Sequence, residues 1–190
     1  MQLVIDGTPA INDVRAIRRY AWNLVHQISV IESEIECTAL YLGVGNLAVG
    51  KLPGIESSKF KRVRSSIPGK LLNLAWEMAS FPDAEFLVKR KFDIFHFLGG
   101  ATYIPVKNGT VITTMHGFAQ QMIPDLMDKN LASGVIKRLE RTVSRSDCFI
   151  TVSETNKTEL NQLWGVSLDR INAIPLGVGD EFKVLDGISN

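Results

Sequence analysis

The chain has 190 residues, 45% of them hydrophobic, and its 21 basic and 20 acidic side chains leave a net charge of +1. That length suits one domain with a sizeable core, and interspersed charges of both signs mark a globular chain. So even a balance produces no whole-molecule field to gather nucleic acid or an acidic partner, which excludes nucleic acid as the first partner class to consider.

Met1 to Asp6 meets an acidic residue too early for a secretory signal, and no later stretch approaches a membrane span. Cys37 and Cys148 stand in apolar runs without C-x-x-C spacing and read as buried thiols of a reducing compartment. A cytoplasmic protein is the expectation.

Short apolar runs alternate with segments of helical period, the pattern of a mostly parallel sheet with helices on both faces: an α/β, Rossmann-like, doubly wound fold. The first strand is Leu3 to Asp6. A helix begins near Asn12 or Asp13, either able to cap free amides, and carries Val14, Ile17, Ala21, Leu24, Val25 and Ile28 on one stripe. Ile35 to Leu42 reads as a strand, and Gly43 to Pro68, rich in Gly, Pro, Ser and Lys, reads as one long loop. A helix from Gly69 to Ser80 and a helical turn over Glu85 to Lys91 lead into a strand at Phe92 to Phe97. Thr110 to Met115 is a β-branched strand ending at His116-Gly117, with a loop to Asp128. Leu131, Val135, Leu139 and Val143 mark the next helix, and Cys148 to Val152 the next strand. Ser153 caps a helix that stops at Gly165, and Arg170 to Ile174 is the last strand.

In open sheets of this kind ligands bind beyond the carboxyl ends of the strands. The informative stretches are therefore Gly7 to Arg19, those starting at His96 and His116, Ser153-Glu154, and Leu176-Gly177. No G-x-G-x-x-G follows the first strand. Gly45 to Lys51 has the spacing of a phosphate loop, but Leu52 stands where a magnesium-binding hydroxyl is needed and Pro53-Gly54 follows where a helix should start. Without a D-x-D pair or a Cys/His cluster of zinc spacing, the sequence predicts no metal site and no cofactor.

Five stretches together carry a resemblance. These are Ile136 to Arg141, Ser146 to Glu154 with its T-V-S-E end, Arg170 to Val178 with its I-P-L-G-V end, and the strands Asp93 to His96 and Val111 to His116. The chain resembles, over nearly its whole length, the amino-terminal half of the retaining GT-B glycosyltransferases of family four. The resemblance implies transfer of a hexose from a nucleoside diphosphate sugar to an acceptor hydroxyl, on a sugar or a lipid-linked carrier, with retention and without a metal. It implies that His116 is the active-site histidine, with Gly117 standing where that family commonly has aspartate. Ala16, Arg18 and Arg19 fall on the family's donor-diphosphate loop. There Ala16-Ile17-Arg18-Arg19-Tyr20 replaces a G-I-G-R-Y pattern, and an arginine side chain is able to bind the anion that bare amides would otherwise approach. His96, Ser153 and Glu154 join the substrate-binding set on the same basis. The family's E-x7-E motif belongs to a donor-binding second domain, expected to be absent from this chain, so residues 1–190 are expected to be inactive alone.

Blander readings stand beside these. His96 either reaches the acceptor cleft or packs inside; Arg18 and Arg19 either meet an anion or form a solvated face; His26 is a surface residue. Ser153 is first a helix cap and Glu154 a first-turn acid favoured by the helix dipole. Lys59, Lys61, Arg62 and Arg64, in the long loop, are either solvated or make weak contact with the inner membrane surface. A non-catalytic GT-B-like binding module and a GT-B-type sugar-nucleotide epimerase are the alternative functions.

Overall fold

The computed structural model describes residues 1–12, 15–31, 34–43, 52–99, 103–118 and 129–177. In chain order these form β1 (Gln2–Asp6), α1 (Pro9–Asn12), α2 (Arg15–Val30), β2 (Glu36–Tyr41), β3 (Phe60–Arg64), α3 (Gly69–Ala79) and α4 (Ala84–Val88). β4 (Ile94–Phe97), β5 (Thr110–Met115), α5 (Lys129–Arg145), β6 (Cys148–Thr151), α6 (Glu154–Trp164), a 3-10 turn (Leu168–Arg170) and β7 (Ile171–Ala173) follow.

The seven strands form one sheet in the order β3-β2-β1-β4-β5-β6-β7. Every neighbouring pair is parallel, with Asp6 opposite Leu40 on one side and Phe97 on the other. A parallel sheet must be covered on both faces, and strand alternation shows how. Val4, Leu40, Phe95 and Phe97 cluster with Leu72 and Trp76 of α3 and with Ala84, Leu87 and Val88 of α4. Their neighbours Ile5, Ala39 and Tyr41 point the other way, to Ala21 and Val25 of α2. Met115, Phe149 and Ile171 gather Leu139 of α5 and Leu160 of α6. The result is a Rossmann-like, doubly wound α/β fold.

Local chemistry sets the element ends. Ser153 accepts the amide of Asn156 at 3.1 Å and so caps α6, and Gly165 ends it with φ 64°. Asp83 caps α4 by accepting from Phe86 N at 2.8 Å, and Lys89 ends that helix in the left-handed region. The expected stripe on the first long helix is present, with Ala21 and Val25 fully buried and Ile17, Leu24 and Ile28 half-buried, while Val14 lies outside the described residues. Its start differs: a separate short helix over Pro9–Asn12 precedes α2.

Two expectations are corrected. The span from Gly43 to Pro68 contains β3, so it is not loop throughout. Phe60 is buried in the α2-side cluster and Val63 packs on the opposite one, while Lys61 and Arg64 are exposed, the composition of a charged edge strand. The strand read from Phe92 begins at Ile94, although Phe92 is buried in the core. The phosphate-loop-like stretch from Gly45 to Lys51 lies outside the described residues.

Candidate functional site

The strand order reverses between β1 and β4, and the crevice beyond their carboxyl ends is where ligands bind in such sheets. At β1 the chain turns tightly. Asp6 is buried and its Oδ1 accepts from Thr8 N at 3.0 Å, Gly7 N donates to Leu40 O at 2.8 Å, and Leu42 N donates to Thr8 Oγ1 at 3.1 Å. Gly7 has to be glycine here: a Cβ on it would lie 2.5 Å from the Tyr41 ring.

β5 delivers Thr114 and then His116 to the same edge. The His116 ring meets Tyr20 of α2 edge to face, with centroids 4.7 Å apart and planes at 74°. Its Nε2 lies 2.8 Å from the carbonyl oxygen of Leu98, just past β4. A carbonyl oxygen only accepts, so Nε2 carries a proton, and the end of β4 holds the ring by one nitrogen while α2 holds it by one face. His116 is half-buried.

Beneath it lies a polar layer. Thr114 Oγ1 is 3.3 Å from the Tyr20 hydroxyl and 2.9 Å from His96 Nε2. Thr114 is fully buried and His96 is 9% exposed. Burial pushes the His96 imidazole down to about 4, so it is neutral at physiological pH. Burial raises the Tyr20 phenol, partly offset by its hydrogen bond to Thr114.

The other predicted residues fall around this corner unequally. Ala16, Arg18 and Arg19 are exposed on the turns of α2 that lead to Tyr20. That first turn holds no acidic side chain, so the helix dipole and arginine charge give it positive potential. Gly117 is exposed, with φ 138°, and a Cβ there would sit 3.6 Å from Asn156 Nδ2, which puts the His116-Gly117 corner against the first turn of α6. Ser153 is engaged as the cap of α6, and Glu154 beside it is exposed. His96 is in the layer below the corner and not on its surface, and His26 is exposed on the polar side of α2. Sequence reasoning passed over Tyr20, Thr114 and Asn156. Strand parity was the available signal for Thr114: His96 pairs with Ile112, so Thr114 shares its face.

The basic cluster on β3 is not a loose loop. Arg62 Nε bonds Glu56 at 3.0 Å and its Nη1 the Leu52 carbonyl at 3.0 Å, and Lys59 lies 3.8 Å from Glu34. No helix among the described residues is long and apolar enough to cross a membrane.

The domain thus has a crevice at the β1/β4 reversal, with a histidine at the end of β5 and a cationic helix start beside it. The chain belongs to glycosyltransferase family 4, whose model matches residues 15–182. It is similar to the O-antigen chain mannosyltransferase B of Escherichia coli, 22% identical over 190 residues, which cover 96% of this chain and 49% of that protein. The chain thus spans about half the length of the curated relative it matches.

Proposed function

We propose that this chain forms the acceptor-side wall of a retaining hexosyltransferase that moves a hexose from a nucleoside diphosphate sugar to an acceptor hydroxyl on a sugar or a lipid-linked carrier. The observation that carries this reading is the meeting of the α2 start with the end of β5, where Tyr20 and His116 stand in ring contact. In this reading His116, held by Leu98 and Tyr20, presents a fixed ring to the donor sugar. Arg18 and Arg19, with the dipole of α2, stabilise charge that grows on the departing diphosphate, replacing close backbone approach at Ala16 and Arg18. Gly117, Ser153 and Glu154 border the acceptor path, and His96 supports the corner from below. A donor-holding second domain completes the cleft, and residues 1–190 alone turn over no donor because a half-cleft cannot exclude water. The reading sets the enzyme in the cytoplasm, in peripheral contact with the inner membrane surface where its acceptor is lipid-linked.

The test uses the protein that joins this chain to such a domain and a panel of nucleoside diphosphate hexoses, a mannosyl donor first in view of the relative's name. NMR of the product should show retained anomeric configuration. His116→Ala should lower kcat, whereas Arg18→Ala or Arg19→Ala should weaken nucleoside diphosphate binding by about 1–3 kcal/mol. An inverted product, or an undiminished kcat in His116→Ala, would overturn the proposal. Binding of the nucleotide without turnover of any donor would favour a non-catalytic module, the reading that Ala16 and Arg18 support by standing at the family's glycine positions.

A further inference from the structure

α3 is apolar on both sides. Leu72 and Trp76 face the core at 1% and 6% exposure, yet Leu71, Leu74 and Met78 face outward at 57%, 54% and 79%. Their spacing of three and then four residues makes a straight seam of the kind that packs helix on helix. A helix with apolar side chains on two opposite sides is one covered on both. Just past its end Phe81 and Phe86, themselves 47% and 56% exposed, stack edge to face with centroids 4.9 Å apart.

Charge indicates what covers the seam. Lys70 and Glu77 are exposed and stand two turns apart on the same flank, and neither has an ion-pair partner among the described residues. We propose that this seam is a homodimer interface, in which two copies of the chain pack α3 against α3, antiparallel, about a two-fold axis near Leu74. In that direction Leu71 of one copy faces Met78 of the other, and Lys70 of each faces Glu77 of the other. A parallel pairing would turn this flank towards the partner's opposite flank, where Ala75 stands, and leave both charges without an opposite one, so the flank selects the antiparallel arrangement. A lipid surface of anionic character calls for a net basic rim, and this flank is neutral.

The area is adequate for a reversible dimer. Five side chains, four of them more than half exposed and Phe81 at 47%, offer roughly 100 Å² each, so two copies bury about 1,000 Å² in all, near the lower bound for specific association. α3 covers the sheet face opposite α2, so the dimer leaves the corner at His116 open.

Sedimentation velocity of the chain over a wide concentration range tests this. The wild type should show a concentration-dependent dimer. Leu74→Glu, an exposed position whose change leaves the core intact, should weaken it by about a hundred-fold or more. Lys70→Glu and Glu77→Lys should each weaken it by about ten-fold, and the double exchange Lys70→Glu with Glu77→Lys should restore it to near the wild-type value. Circular dichroism confirms that each variant is folded. A wild type that stays monomeric at every concentration, a dimer that survives Leu74→Glu, or charge reversals that are not mutually restoring would overturn the proposal. So would a monomer that binds vesicles of anionic phospholipid and loses them with Leu74→Glu, since the seam would then belong to a lipid surface.

Discussion

Replacing Thr114 by Val removes one oxygen from the layer beneath His116 and changes little else, because the two side chains are nearly equal in volume. That oxygen serves two partners, His96 Nε2 at 2.9 Å and the Tyr20 hydroxyl at 3.3 Å. A hydroxyl has one proton to donate and two lone pairs to accept with, so Thr114 either relays a chain between Tyr20 and His96 or accepts from both. Valine removes both bonds in either case. Tyr20 is half-buried and regains some hydration, whereas His96, 9% exposed, does not. One buried nitrogen left unsatisfied costs about 1–3 kcal/mol, and the longer bond to Tyr20 adds about 0.5, for a total of about 1.5–3.5 kcal/mol. Urea denaturation at neutral pH measures it. Thr114→Ser keeps the hydroxyl and gives up one methyl, so it should lose only about 1 kcal/mol. A valine variant within about 0.5 kcal/mol of wild type, or a serine variant as unstable as the valine one, would refute the shared hydroxyl.

Three further outcomes are expected. His96 titrates near 4 in the folded chain and near its ordinary value of 6.5 when unfolded, so the unfolded state binds more protons between those values. Its contribution to stability is complete above pH 6.5 and is lost as the pH falls towards 4, by about 3 kcal/mol, and His96→Gln should flatten that part of the stability curve measured by urea titration. Gly7→Ala forces a methyl into the Tyr41 ring, which cannot swing aside without losing its hydroxyl bond to Pro53 O at 2.9 Å, and should lower stability by about 1–3 kcal/mol in thermal melts. Burial pushes the Cys37 thiol up to about 12, so iodoacetamide at mildly alkaline pH should spare it in the folded chain and label it after urea unfolding, as mass spectrometry would read; labelling of Cys37 in the native chain would contradict its burial.

Much of this architecture is legible in residue order because strands buried on both faces have few alternatives to continuous apolar runs. Leu3 to Ile5 and Cys148 to Ile150 are of this kind, and Thr110 to Met115 is legible instead as a β-branched run. β3 escapes because an edge strand has one buried neighbour and needs only Phe60 and Val63 to face inward, leaving F-K-R-V-R to look like a basic loop. Ser153 and Gly165 are legible since a cap is a local bargain between a side chain and its own backbone. The corner at His116 is only half legible. Strand ends in one parallel sheet are bound to share an edge, which brings His116 near α2, but which side chain fills the gap depends on helix rotation, and Tyr20 takes the place facing His116. His96 shows the same limit from the other side: alternation fixes its face, and only the packing of α2 over Thr114 decides that it is covered.

The sheet order has a consequence for how the molecule assembles. Every neighbouring strand pair but one joins strands consecutive in the chain; the exception is β1 with β4, where Gln2 N bonds the Asp93 carboxylate across 91 residues. Residues of β1 to β3 and those of β4 to β7 can each collect their own neighbours through shorter closures, while the central pairing carries the greatest loop-closure entropy and the largest share of the contact order. That joint is therefore where assembly is slowest and where partial opening is least hindered by local structure. Tyr20 comes from one half and His116 from the other, so their ring contact forms only once the two halves have docked, and the ring-current shift it produces is a direct spectroscopic clock for that event.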